Sequence, residues 1–270
     1  MNRLVILGPG YTASRIGDAV EGRGWQTLRI GRADFDAADA ALRQATLILS
    51  SVPPDGEGDP VLRRYAPALA ASPAWIGYLS STGVYGDAGG AWVDETAPIG
   101  TGRRRARAAA DRAWLDLGAR VFRLPGIYGP GRSSFDRLLD GSAYRVDASD
   151  QLFSRVHVDD IVSGVIAAFD GPPGAYNLAD DLPARQSDVM SYAAALLGMA
   201  APPLLQVEDL PAPARAFYRE NRRVANGKAK RLLGWRPAFA SYREGLRDLS
   251  AKMSPASVSA PPSNAVADQR

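Results

Sequence analysis

The sequence predicts an α/β fold, a doubly wound parallel sheet with a small C-terminal lobe. Three observations carry this. Arg3-Leu-Val-Ile-Leu7 is a short buried strand, followed at once by Gly8-Pro-Gly10 and an amphipathic stretch through Ile16, Ala19 and Val20. Further apolar runs at 46–50, 75–80 and 121–124 end in Ser or Pro and are separated by helical patterns, and strands alternating with helices build parallel sheets. Hydrophobic residues make up 46% of the 270 positions, enough for one sizeable core.

The first turn reads G-x-G-x-x-A through Gly8, Gly10 and Ala13. Gly8 permits the tight turn, Gly10 lets backbone approach a phosphate, and a small residue at 13 lets helix and strand pack closely. The helix N-terminus then offers free N–H groups and a positive dipole end to an anion. This is the Rossmann pattern for a dinucleotide pyrophosphate, with Gly8, Gly10, Tyr11, Thr12 and Ala13 as cofactor contacts; the competing explanation is an ordinary βα turn. A second strand spans about 25–30. No acid stands at its end before Asp34, and Arg32 is placed to pair with a 2′-phosphate. NADP is therefore favoured, NAD stays open, and a solvated surface arginine is the alternative. Arg29 is a weaker second candidate.

Residues 37–44 predict a helix. The strand from Thr46 ends in Ser50, Ser51, Val52 and Pro53, which the crevice at the strands' carboxyl ends would bring to the cofactor. A loop at 54–60, a helix at 61–71 and a strand at 75–80 follow.

Composition excludes several classes. There are no cysteines, so disulfides, thiol catalysis and thiolate metal sites are out, and a reducing, cytoplasmic setting fits. The single histidine, His157, excludes multi-histidine metal sites, and no metal is expected. A net charge of +3 makes no case for nucleic acid. No apolar run reaches the ~18 residues of a membrane span, and no secretion signal is seen.

The strand at 75–80 runs into Ser80-Ser-Thr-Gly-Val-Tyr-Gly86. Val93-Asp-Glu95 with Pro98, Arg123-Leu-Pro-Gly-Ile-Tyr-Gly-Pro-Gly-Arg132, Arg155-Val-His-Val-Asp-Asp-Ile161, Tyr176-Asn-Leu-Ala179 and Leu233-Gly-Trp-Arg-Pro237 follow in order. Together with the N-terminus this set resembles the extended and atypical short-chain dehydrogenase/reductases, the NAD-dependent epimerase/dehydratase-like group, over about residues 3–250. The glycine pattern departs from the extended type, with Leu7 and Ala13 in the outer glycine places, as in the atypical branch.

The resemblance implies a catalytic serine at Ser81, with Thr82 beside it, and a tyrosine–lysine pair on the helix starting near 101. That helix contains neither residue. The best overlay puts Arg103 at the tyrosine and Arg107 at the lysine, where Arg107 could hold a ribose or phosphate. Arginine is no ordinary proton donor, its pKa being above about 12. Another residue could supply the proton, with Tyr85, Tyr128 and His157 as candidates; the alternatives are a clamp of Ser81 and an arginine, or no turnover. Arg103 and Arg107 would share one helix face, with Arg104 about 100° away. Pro125 and Gly126 are implied beside the nicotinamide and Arg155 near the substrate, while Arg132 and Arg137 are basic groups near the crevice that either bind an acidic substrate or cover a helix end.

A helix at 134–139 precedes the strand and turn at 151–160. His157 is expected to be structural, and Asp159 or Asp160 to cap the helix at 161–169. A last strand at 175–178 and a helix at 187–197 follow. Residues 200–213 read as extended, the polar run 215–223 as flanking a substrate opening, 226–237 as a short helix ending at Gly234, and 241–252 as a helix. Residues 1–253 are expected to be one Rossmann domain with a substrate lobe at about 132–157 and 180–245, and 254–270 a disordered tail.

The function expected is an NAD(P)-dependent oxidoreductase acting on a small polar carbonyl, alcohol or sugar-derived molecule. An epimerase/dehydratase and a non-catalytic, redox-sensing NADP-binding protein are the alternatives. The family habit implies a homodimer through the helix at 103–117.

Overall fold

A computed structural model describes residues 2–102 and 104–253. Arg103 and the expected tail at 254–270 lie outside the described residues.

The central sheet holds β1 (Arg3–Leu7), β2 (Gln26–Ile30), β3 (Leu47–Ser50), β4 (Trp75–Ser81), β6 (Arg120–Leu124) and β10 (Gly174–Asn177), after β5 (Trp92–Val93), β7 (Gly126–Tyr128), β8 (Arg145–Asp147) and β9 (Arg155–His157) are set aside. Its order is β10-β6-β4-β3-β1-β2, with every pairing parallel. The chain reverses direction across the sheet between β1 and β3, the switch point where such folds open a crevice.

Alternation along the strands sorts two cores. Leu4, Ile6, Leu49, Phe122 and Tyr176 face α1 (Tyr11–Glu21) and α6 (Val158–Ala167), meeting Ile16, Val20, Ile161 and Val165. Val5, Leu7, Ile48, Tyr78 and Val121 face α2 (Asp39–Gln44), α3 (Pro60–Ala70) and α4 (Arg105–Asp116), meeting Leu42, Tyr65, Leu69 and Trp114. The strands are buried on both faces, so they read as unbroken apolar runs.

Beyond the sheet, α5 (Ser134–Leu139), α7 (Gln186–Leu196) and α10 (Tyr242–Lys252) share a separate cluster of Phe135, Leu138, Met190, Leu246 and Leu249. Between α7 and α10 lie β11 (Leu204–Gln206), α8 (Ala212–Arg215), β12 (Arg223–Val224) and α9 (Gly227–Leu232). Three parallel pairs, β7–β9, β8–β11 and β5–β12, tie distant stretches to one another. Ser133 and Asp136 form a capping box on α5, and Ser241 and Glu244 one on α10.

The structure corrects the expected cap of α6. The His157 ring nitrogen Nδ1 accepts the Asp159 N–H at 3.2 Å, so the histidine is the cap. The Asp160 carboxylate instead accepts the N–H groups of Ala238 and Phe239 at 2.6 and 3.2 Å, fastening the segment before α10. No helix among the described residues is long and apolar enough to cross a membrane.

Candidate active site

A cavity of about 890 Å³ opens at the carboxyl ends of β1, β3, β4 and β6. Gly10, Tyr11, Thr12 and Ala13 form one wall, with Ser51 and Pro53 beside them. Gly8 lies behind this wall at φ +80°, where an added Cβ would meet Val52 Cγ2 at 2.9 Å. The Ser51 hydroxyl donates to the Gly8 carbonyl and fixes the turn. At Gly10 an added Cβ would meet nothing within 4 Å. No side chain caps α1 and no acid stands in its first turn. The first N–H groups of α1 therefore open onto empty space, the arrangement that receives a phosphate.

Two predicted contacts are corrected here. Ser50 is fully buried and lines no part of the cavity. Val52 packs under Gly8 and against the second core, so it supports the turn from behind. Arg29 is also removed, because it pairs with Asp18 and Glu21 at 2.6 Å each. Arg32 is exposed at the end of β2, outside the lining of the cavity.

The β4–β6 register sets Ser81 level with Leu124, so Ser81 and Pro125 emerge side by side. Ser81, Thr82, Arg107, Pro125 and Gly126 all line the cavity. Ser81 Oγ accepts the Gly83 N–H at 3.1 Å, which leaves its own proton to donate. Arg107 Nη1 donates to the Tyr78 hydroxyl at 3.1 Å, and Tyr78 stacks on Trp114 at 5.1 Å. The helix begins at Arg105, and Arg104 has φ −101° and ψ 51°, outside the helical region. The expected helical phase therefore does not hold between Arg104 and Arg107. Arg104 lines the cavity with Arg107 and lies across Gly83, where an added Cβ would sit 2.6 Å from Arg104 Cδ and 3.3 Å from Ser81 Oγ.

Tyr85 is corrected as a catalytic candidate. It is buried outside the cavity, its hydroxyl donating to Asn177 Oδ1 at 2.7 Å and accepting from Arg123 at 3.0 Å. Burial pushes its phenol up to about 12. Tyr128 is buried as well, with its phenol pushed up by burial. Burial holds the imidazole of His157 below its ordinary value, and its ring lies between Tyr128 and Phe239. Neither of these residues lines the main cavity.

The far wall brings Arg132 and Arg155 together with Arg137, Tyr144, Phe153 and Tyr218. Arg155 Nη1 donates to the carbonyls of Phe153 and Ala184 at 2.8 and 2.9 Å. Arg222 pairs with Glu220 at 3.0 Å, and Glu220 is the sole carboxylate among the described lining residues. The cavity is thus strongly cationic. The aromatic members of this wall were missed from the sequence; the available signal was Phe153 two places before Arg155 and the polar run at 215–223.

No family model matches the chain. A functionally unknown conserved protein from Silicibacter pomeroyi DSS is 40% identical, with a TM-score of 0.84 over 93% of this chain and 99% of that one. Human epimerase family protein SDR39U1, solved with NADPH, shares 16% identity and a TM-score of 0.73 over 93% of this chain and all of its own. A 3-diazoavenalumate denitrifying reductase from Streptomyces sp is 30% identical over 168 residues, 57% of this chain. That match spans 55% of the reductase, about half the length of this curated relative. The fold is that of solved epimerase-family and nucleotide-sugar dehydratase structures. At the position the resemblance gives to the lysine, α4 carries Arg107.

Proposed function

We propose that the chain is an NAD(P)-dependent oxidoreductase that prefers NADP(H) and acts on a small polar or acidic carbonyl or alcohol. The observation that carries the reading is the uncapped N-terminus of α1, open at Gly10 and continuous with the cavity that Ser81 faces. Gly10 to Ala13 would receive the pyrophosphate, and Arg107 with Pro125 and Gly126 would flank the nicotinamide riboside. Arg32, exposed at the end of β2, would pair with a 2′-phosphate. The bound dinucleotide supplies or accepts the hydride.

The chain's own groups then hold the substrate oxygen. Ser81 donates its hydroxyl proton in a hydrogen bond to that oxygen, with Thr82 beside it. Arg104, across Gly83, adds a fixed positive charge where negative charge develops on the oxygen. The Streptomyces relative is named a reductase, which supports reduction as the direction.

A fluorescence titration with NADPH and NADH tests the reading. Tight NADPH binding with much weaker NADH binding supports it, and binding of neither overturns it. Ser81→Ala should then lower kcat about 100-fold, the scale for losing one donor to a developing oxyanion. A second reading, a non-catalytic NADP-binding protein, is favoured by the arginines at the tyrosine and lysine positions. Tight NADPH binding with no turnover of any carbonyl would select it.

A further inference from the structure

The geometry points to a flat, unsaturated carboxylate, such as an arylacrylic acid, as the ligand of the far half of the cavity. This rests on the oxidoreductase reading above and names its substrate class.

Arg155 carries the charge argument. One of its guanidinium nitrogens is spent on two backbone carbonyls, at 2.8 and 2.9 Å. Among the described residues no carboxylate stands within ion-pair distance of it. The acid behind it, Asp180, is 1% exposed, and neither of its oxygens has a hydrogen-bond partner. Burial pushes Asp180 up to about 8, which favours its neutral form and weakens the countercharge it offers Arg155. Burial also presses the guanidinium of Arg155 below its ordinary value, and the charge of Asp180 is the chief influence opposing it. A buried cation held by carbonyl oxygens gains from a ligand carboxylate, which supplies a full opposite charge.

The rings carry the shape argument. The Arg155 guanidinium lies 6.0 Å from the Phe153 ring centre, and Tyr218 meets Phe153 edge-on at 5.4 Å. All three line the cavity. An acid that reaches Arg155 therefore lies along an aromatic wall, where a planar group gains most. Size agrees: about 890 Å³ must take both dinucleotide and substrate. A single drug-sized ligand alone fills roughly 300–1,000 Å³. The remaining room suits a small acid better than a second nucleotide.

The test uses the full chain with NADPH present and three probes: trans-cinnamate, methyl trans-cinnamate and UDP-glucose. Calorimetry should show cinnamate binding about 30-fold or more tighter than its ester, the scale for one desolvated charge partner. Arg155→Gln should abolish that preference while NADPH affinity is unchanged, and Phe153→Leu should weaken cinnamate without touching the acid–ester ratio. Equal binding of acid and ester by the unaltered protein, or UDP-glucose displacing cinnamate, overturns the inference without any variant. If NADPH does not bind but the acid preference persists, the dinucleotide reading falls and the acid site stands.

Discussion

Arg32 and Tyr85 show how far a single side chain can be judged from its position in the chain. Arg32 is exposed and, among the described residues, forms no ion pair, whereas nearby Arg29 is held by Asp18 and Glu21. Arg32→Ala should weaken NADPH about two- to fivefold and leave NADH unchanged in parallel titrations, as loss of one exposed charge partner implies. Tyr85→Phe should leave turnover intact and cost about 1–3 kcal/mol in urea unfolding, because Asn177 and Arg123 lose a buried partner. Asp180 gives a pH prediction. Its folded pKa, about 8, lies above the ordinary 3.8, so its stabilising proton is lost as pH rises from about 4 to 8. Thermal unfolding should show stability falling across that window, by an amount on the order of a few kcal/mol, and Asp180→Asn should flatten the fall. Ser81 was singled out by the family resemblance, and its place at the cavity follows from the β4–β6 register. The burial of Tyr85 was not legible in the sequence, because its partner Asn177 is 92 residues away.

Elements were legible where their signal is self-contained. The β1–turn–α1 unit and α5 emerged close to their expected bounds, since burial on both faces and a capping box act within a few residues. The start of α4 was misjudged: Arg104 is non-helical, so wheel geometry assigned arginines to faces that do not exist there. Strands β5, β8, β11 and β12, of two or three residues each, were hidden because their partners lie far along the chain. The glycine turn allows a paired test. Gly8→Ala forces φ +80° on a residue with a Cβ and meets Val52, so it should cost about 1–2 kcal/mol of stability. Gly10→Ala meets nothing, so the melting temperature should hold while dinucleotide affinity drops at least about tenfold. If both variants merely destabilise, the open space at Gly10 is not a binding surface.

On the scale of the whole molecule, dinucleotide binding should couple to unfolding. NADPH at one hundred times its dissociation constant adds about 2.7 kcal/mol, which for a chain of this length raises the melting temperature by about 5–10 °C. A scan with and without NADPH reads this directly. The walls of the cavity also have a temporal side. They take Gly10 to Ala13 from the first helix and Ala214 to Val224 from near the other end of the described chain. Pairs β5–β12 and β8–β11 join segments more than fifty residues apart and cannot zip until both have been made. On a ribosome, then, the phosphate-binding turn exists early and waits for most of translation before the opposite wall arrives. Nascent chains released just before residue 223 should carry all six strands of the central sheet yet hold no ligand, and refolding of the full chain should be slow, as parallel long-range pairing dictates.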